Sequence, residues 1–445
     1  MPSQASTATT SSGNGTDPAQ QPCSRTNQTG GACKENVGWR RIVRNFTPSD
    51  ISLVFKRWFA VNMGTGIVSI LLYRLPYNGE WLQYISYIFF CANVVLFALF
   101  TAVSVLRYTL YPEIWFAMIA HPGQSLFLGC FPMAFASTFF FPNTSADMSS
   151  LTKFLAIINM MVFVGKSWGN GFIYLTWAFW WVDAVVSMAT CISMPFIVMK
   201  RHRPDLQNIT AALLLPIVPT VVAAASAGIV AEVLPDVKHA LTTLVAGYVL
   251  WGIGIAFSGC VLALYLQRLM IHSLPAREVI VSVFLPIGPL GQGGFGIQQL
   301  GKVALKVIPE ANAFPALGAD VSRAGEILYV LGIFNGLVMW GFALVWLAFA
   351  LISIITTQSF PFNMGWWGFT FPLGVLATCT SLLAENLQSQ FFQVATMILS
   401  LSVVLLWAVV AVRTMLQVIT GEMFFAPCLG DIRPKEQAGG EDRRV

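Results

Sequence analysis

The sequence predicts an all-α membrane protein of ten transmembrane helices, arranged as five helical hairpins around a central pore, with the odd helices inner and kinked and the even helices outer. Three observations carry this expectation. Of 445 residues, 56% are hydrophobic and only 10% charged, whereas soluble domains usually carry about 25% charged residues. Ten apolar segments approach or exceed the roughly 20 residues that a helix needs to cross a bilayer. Helix-breaking residues concentrate in alternate segments.

The ten spans are expected at about 55–75, 84–106, 123–141, 172–199, 209–234, 240–269, 279–303, 327–355, 364–384 and 391–419. An eleventh apolar run, at 154–164, is too short to cross and reads as an interfacial or re-entrant piece. An even number of spans puts both tails on one side. That side, with the loops and span ends that share it, holds 18 Lys and Arg, including the run at 200–203, against 7 opposite. The positive-inside rule then makes both termini cytosolic. Residues 1–50 read as a largely disordered cytosolic tail, of which 1–36 are rich in Ser, Thr, Gly, Gln and Asn, residues 51–420 as the transport domain, and 421–445 as a second cytosolic tail. Of the glycosylation sequons only Asn143 would lie outside.

Odd spans carry the breakers: Pro132 in span 3, Pro216 and Pro219 in span 5, Pro286 and Pro289 in span 7, Pro372 in span 9. Span 1 has Gly64 and Gly66 instead, and among even spans only the fourth has a proline, Pro195. A proline frees a carbonyl, which protein or trapped water can satisfy and lipid cannot. Broken helices therefore belong inside. Span 7 also spells G-x-G-x-x-G through Gly291, Gly293 and Gly296. A dinucleotide site with that spacing requires a soluble strand-turn-helix, so no nucleotide is expected. These glycines let the backbone of span 7 approach the pore axis, or let helices pack closely, as small residues do in membrane bundles.

Polar groups expected along the pathway are Asn62, Thr65, Ser69, His121, Gln124, Ser125, Thr220, Ser226, Gln292, Thr370 and Thr378. Such a wall is neutral and weakly polar, without the carboxylate ring of a cation pore or the buried Arg or Lys of a tight anion site. Helix N-termini and unpaired N–H groups attract an anion without a fixed charge, and weak attraction lets it leave. A small anion is the expected substrate.

Asp183, Glu232 and Glu385 are carboxylates within or near spans. Asp183 could pair with a neighbouring helix or carry protons, and the two glutamates could serve a vestibule. The eight cysteines show no CxxC or Cys–His grouping and read as small apolar residues, so neither metal nor cofactor is expected. Ser167 in G-x-S-x-G lacks a strand-turn-helix setting, and scattered basic residues give no nucleic-acid surface. A membrane-embedded enzyme or a receptor remains the alternative of a different class.

Six stretches in order carry a resemblance: WFAVNMGTGIVS (58–69), HPGQSLFLGCFPMAFAS (121–137), WWVDAVVS (180–187), LLLPIVPTVVAAASAG (213–228), GPLGQGGFG (288–296) and WWGFTFPLGV (366–375). Together they resemble the tellurite-resistance/dicarboxylate transporter family, which includes fungal sulfite efflux pumps, fungal malic acid permeases and plant slow anion channels. The resemblance implies ten helices in five hairpins, a homotrimer, and export of sulfite or bisulfite across the plasma membrane, with dicarboxylate or chloride as alternatives. In the channel relatives a phenylalanine beside the T-F-P sequence plugs the pore, and the matching residue is Phe371. Its neighbours Phe369 and Phe295 compete for that role.

Overall fold

The computed structural model describes residues 58–77, 79–110, 119, 123, 125–137, 170–202, 206–313, 321–357 and 359–420. Both tails, the 154–164 run, His121, Gln124, Asn143 and Ser167 lie outside them. The described residues form ten α-helices and no strand. In chain order these are α1 (Phe59–Tyr73), α2 (Glu80–Leu110), α3 (Cys130–Ser137), α4 (Asn170–Ile197), α5 (Val218–Val233), α6 (Val237–His272), α7 (Ile287–Ala311), α8 (Val321–Thr357), α9 (Thr370–Leu387) and α10 (Gln390–Thr420). Each expected apolar segment holds one of them. Seven of these helical stretches are long and apolar enough to span a membrane, and three apolar ones are shorter.

Burial separates odd from even. In α7 and α9 the most apolar window is 89% buried inside the protein, but in the long even helices only 22–33%. The even helices turn large apolar side chains outward, among them Ile88 and Val95 on α2, Phe334 and Ile355 on α8, and Ile398 and Leu405 on α10. Exposed apolar faces of this extent are stable against lipid, not water. The chain is a multi-pass membrane protein.

Six prolines of the odd segments sit where they cost least, whereas Pro195 and Pro309 lie inside α4 and α7. Short 3₁₀ segments at Ser125–Gly129, Ala211–Leu214, Arg277–Phe284 and Met364–Gly368 lead into α3, α5, α7 and α9. Pro132, Pro219, Pro289 and Pro372 then fall in the first turn of the α-helix, and Pro216 and Pro286 at the junction. First-turn amides have no intrahelical acceptor, so a proline there loses nothing. Tighter i to i+3 bonds, such as Ile217 N–H to Leu214 O and Gly288 N–H to Leu285 O, carry the chain across the break. The sequence placed these prolines in mid-span, whereas they mark where a 3₁₀ lead-in becomes α-helix.

Packing follows the same division. α1 packs against α3, α3 against α5, α5 against α7, α7 against α9, and α9 against α1, closing a circuit of odd helices. Each odd helix also packs on the even helix beside it in sequence. Since lipid is as apolar as leucine, close packing and interhelical hydrogen bonds must hold such a bundle. Both are present. Ala223, Ala224, Ala225 and Ala227 are wholly buried on α5, and indole N–H groups bridge helices: Trp180 to Ala223 O, Trp251 to Gly293 O, Trp340 to Thr380, and Trp407 to Thr65.

Candidate functional site

Contacts of the glycines fix which way α7 faces. A Cβ on Gly291 would lie 2.8 Å from Leu376 N on α9, and one on Gly296 would lie 3.3 Å from Ala225 Cβ on α5. Gly293 faces Ile255 of α6 and Met339 of α8. The three glycines of the motif therefore receive three different sets of neighbours, which is the packing alternative. At about 100° per residue, the arc of α7 between its α5 and α9 contacts holds Gly288, Gln292, Phe295 and Gln299. This arc looks into the space enclosed by the odd helices.

The same reasoning applies to α1 and α9. On α9, Val375 and Leu376 meet α7, Gly374 meets Ile67 of α1, and Thr380 faces α8. Phe371 and Thr378 fall on the inward arc. On α1, Phe59 meets Phe131 of α3, with ring centroids 5.4 Å apart, and Ile67 meets α9. Met63, Ile70 and Arg74 lie between.

The polar residues of α1 instead turn outward. Asn62 donates to Asn93 O of α2 at 3.0 Å, Ser69 to Ser86 O of α2 at 2.8 Å, and Thr65 accepts from Trp407 of α10 at 3.1 Å. Thr220 bonds Ile217 O and abuts Gly254 of α6, while Thr370 bonds Trp367 O and abuts Gly64 of α1. Gly66 is buried in the interior of α1. Ser226 bonds Val222 O one turn back. Gln292, 5% exposed, is the one inward side-chain amide of α7 with no hydrogen bond to another described residue.

The three phenylalanines differ in their surroundings. Phe369 packs edge-on against Phe284 at 4.9 Å and Trp366 at 5.6 Å. Phe371 is buried with no ring partner among the described residues. Phe295 is fully buried, and the Arg74 guanidinium carbon lies 5.5 Å from its ring centroid. The α7 to α9 contacts pair Gly291 with Leu376 and Gly294 with Cys379, so Phe371 is level with Pro286. Phe295 stands nine residues further along, about 13 Å at 1.5 Å per residue, with Gln292 between the two levels.

Beyond Phe295, at the C-terminal ends of the odd helices, opens a cavity of about 410 Å³ whose wall includes Arg74, Glu232, Gln299, Lys302 and Glu385. Gln299 donates to Glu232 at 3.0 Å, and Lys302 pairs with Glu385 at 2.8 Å. Both glutamates read from the sequence as vestibule residues thus share one cavity. Asp183 lies elsewhere, buried on α4, with neither carboxylate oxygen bonded to a described residue. It lines neither this cavity nor the inward arcs.

A model of the voltage-dependent anion channel family matches residues 56–415. The chain belongs to the voltage-dependent anion channel family. The chain is 46% identical over 368 residues to a sulfite efflux pump of Arthroderma benhamiae, covering 82% of this chain and 91% of the relative. It is 25% identical over 386 residues to the sulfite efflux pump of Saccharomyces cerevisiae, covering 75% and 79%. It is 22% identical over 355 residues to the malic acid transport protein of Schizosaccharomyces pombe, covering 79% and 75%. These matches agree with the family read from the six motifs. For a member of an anion channel family, anion transport is the activity, and Arg74, Gln299 and Lys302 are cavity-wall residues that sequence reading passed over. Arg74 and Lys302 entered it only as basic residues on the less basic side. On α7 the spacing holds the missed signal: Gln292, Phe295, Gln299 and Lys302 follow one another at intervals of three, four and three residues, which puts them on one helix face.

Proposed function

We propose that this protein exports sulfite or bisulfite across the plasma membrane, along an axis inside the circuit of odd helices. The observation that carries the route is the single inward face of α7, which runs from Gly288 through Gln292 and Phe295 into the cavity lined by Gln299 and Lys302. The sulfite efflux pumps at 46% and 25% identity support the substrate. Both termini are cytosolic in this reading, so the cavity opens outward, and the five helix pairs assemble as hairpins in a homotrimer. With the cytosol negative, outward movement of one negative charge is favoured by about 2.3 kcal/mol per 100 mV. Export therefore needs no coupled ion.

The aromatic constriction has two levels, Phe371 and Phe295, while Phe369 is committed to Phe284 and Trp366. Between the levels Gln292 presents an amide that can donate to an anion without binding it tightly. Flux into proteoliposomes under an imposed potential, compared for sulfite, malate and chloride, tests the substrate: malate movement without sulfite movement overturns sulfite export. Gln292→Ala should lower the sulfite rate or the sulfite-to-chloride ratio by about two- to tenfold, the worth of one neutral hydrogen bond. Its yield and thermal stability should stay near wild type. An unchanged rate and ratio would remove Gln292 from the pathway.

A further inference from the structure

We propose that the cavity above Phe295 is an oxyanion-binding exit site, with Arg74 as its binding cation. The inference rests on the export reading for the identity of the substrate. Arg74 follows Met63 and Ile70 on the inward arc of α1, just past the last helical residue, its N–H bonded to Ile70 O at 3.0 Å. Its guanidinium lies over the Phe295 ring. An anion that passes this ring meets Arg74 first.

The geometry suits a small oxyanion. A guanidinium presents a planar fork of N–H donors that matches two oxygens of sulfite or sulfate, which a spherical ion such as chloride cannot use in the same way. Liquid water takes about 30 Å³ per molecule, so a cavity of about 410 Å³ holds the anion with much of its hydration. The remaining wall keeps the stay short. Glu232 and Glu385 lie within electrostatic reach of Arg74, and they are held in place by Gln299 and Lys302. Two carboxylates beside one bound anion oppose it, and a permeation site must release what it binds.

Arg74 also couples binding to closure. A cation over an aromatic face is attracted by the negative face of the ring, so in the empty site Arg74 helps to hold Phe295 in its closed position. An oxyanion paired with the guanidinium offsets that charge and weakens its hold on the ring. Arrival of the anion and release of the ring are then one event.

The test uses the full chain in proteoliposomes, with sulfate added on the cavity side as an oxyanion probe during sulfite flux. Sulfate should inhibit the wild type, and Arg74→Gln should raise the half-inhibiting concentration by roughly tenfold or more, the worth of a charge-assisted hydrogen bond. Arg74→Lys keeps the charge but not the fork and should show a smaller shift in the same direction. If Arg74→Gln does not assemble, Arg74→Lys is scored alone. No inhibition of the wild type, or inhibition of the variants indistinguishable from it, overturns the exit site. Should the wild type carry malate or chloride in place of sulfite, the export reading falls, and Arg74 is judged by the same sulfate inhibition of the anion that moves.

Discussion

Gly291→Ala should be among the most destabilising single-methyl additions in the protein. The new Cβ would lie 2.8 Å from Leu376 N, 2.9 Å from the Val375 carbonyl carbon and 3.0 Å from Leu376 Cα. All three are backbone atoms of α9, so no side chain can rotate away, and α7 and α9 must move apart. Overpacking of this kind costs typically 1–3 kcal/mol, and here it falls at a contact between two members of the inner circuit. Gly252→Ala on α6 is the control. A Cβ there meets nothing within 4 Å, and alanine is favoured over glycine inside a helix by about 0.5–1 kcal/mol. The measurement is the temperature at which half of the detergent-purified protein is lost from the monodisperse peak. That temperature should fall clearly for Gly291→Ala and hold or rise for Gly252→Ala. Equal behaviour of the two would show that the helices are not in backbone contact at this point.

The positions of the helices were legible because length and apolarity suffice to mark a span, and the proline pattern separated odd from even. Direction around each helix was not. In a soluble helix, polarity marks the face turned to water, but α1 is buried nearly all round, and its polar residues serve other helices. Asn62 and Ser69 reach α2, and Thr65 reaches α10. Reading a polar residue on an inner helix as a pathway residue therefore fails wherever a second polar residue on an outer helix can satisfy it. Asn93 and Ser86 are such partners, and they sit in spans whose composition gives no hint of pairing. Gln292 stands apart because it falls on the arc facing the enclosed space and has no hydrogen bond to another described residue, whereas Gln298, turned toward α8 and α9, bonds Gly294 O and Asn386.

The two glutamates illustrate the complementary case. Each was legible as a carboxylate near the end of an inner span, yet the cavity that unites them also depends on Arg74 and Lys302, which lie 228 positions apart in the sequence. The packing of α9 against both α1 and α7 brings them together. The G-x-G-x-x-G motif shows the same limit from another side. Its spacing of two and three residues turns Gly291, Gly293 and Gly296 toward α9, toward α6 and α8, and toward α5, so one local pattern serves three interfaces.

The largest functional effect should come from removing both aromatic levels together. Constrictions in series add as resistances: when two barriers are similar in height, lowering one leaves the other in control, and the rate rises by no more than about twofold. Phe295→Ala and Phe371→Ala should each stay near that limit in sulfite flux or conductance. The double variant should exceed wild type by more than about tenfold, since each 1.36 kcal/mol removed from the controlling barrier is worth a factor of ten. The measurement is current or flux per assembled protein at fixed potential, with assembly checked by size exclusion. A full rise in Phe371→Ala alone would place the closure at the T-F-P level only, as the resemblance implies, and would make the 5.5 Å approach of Arg74 to Phe295 a packing contact. A full rise in Phe295→Ala alone would place it at the cavity floor. No rise in the double variant would show that neither ring closes the path.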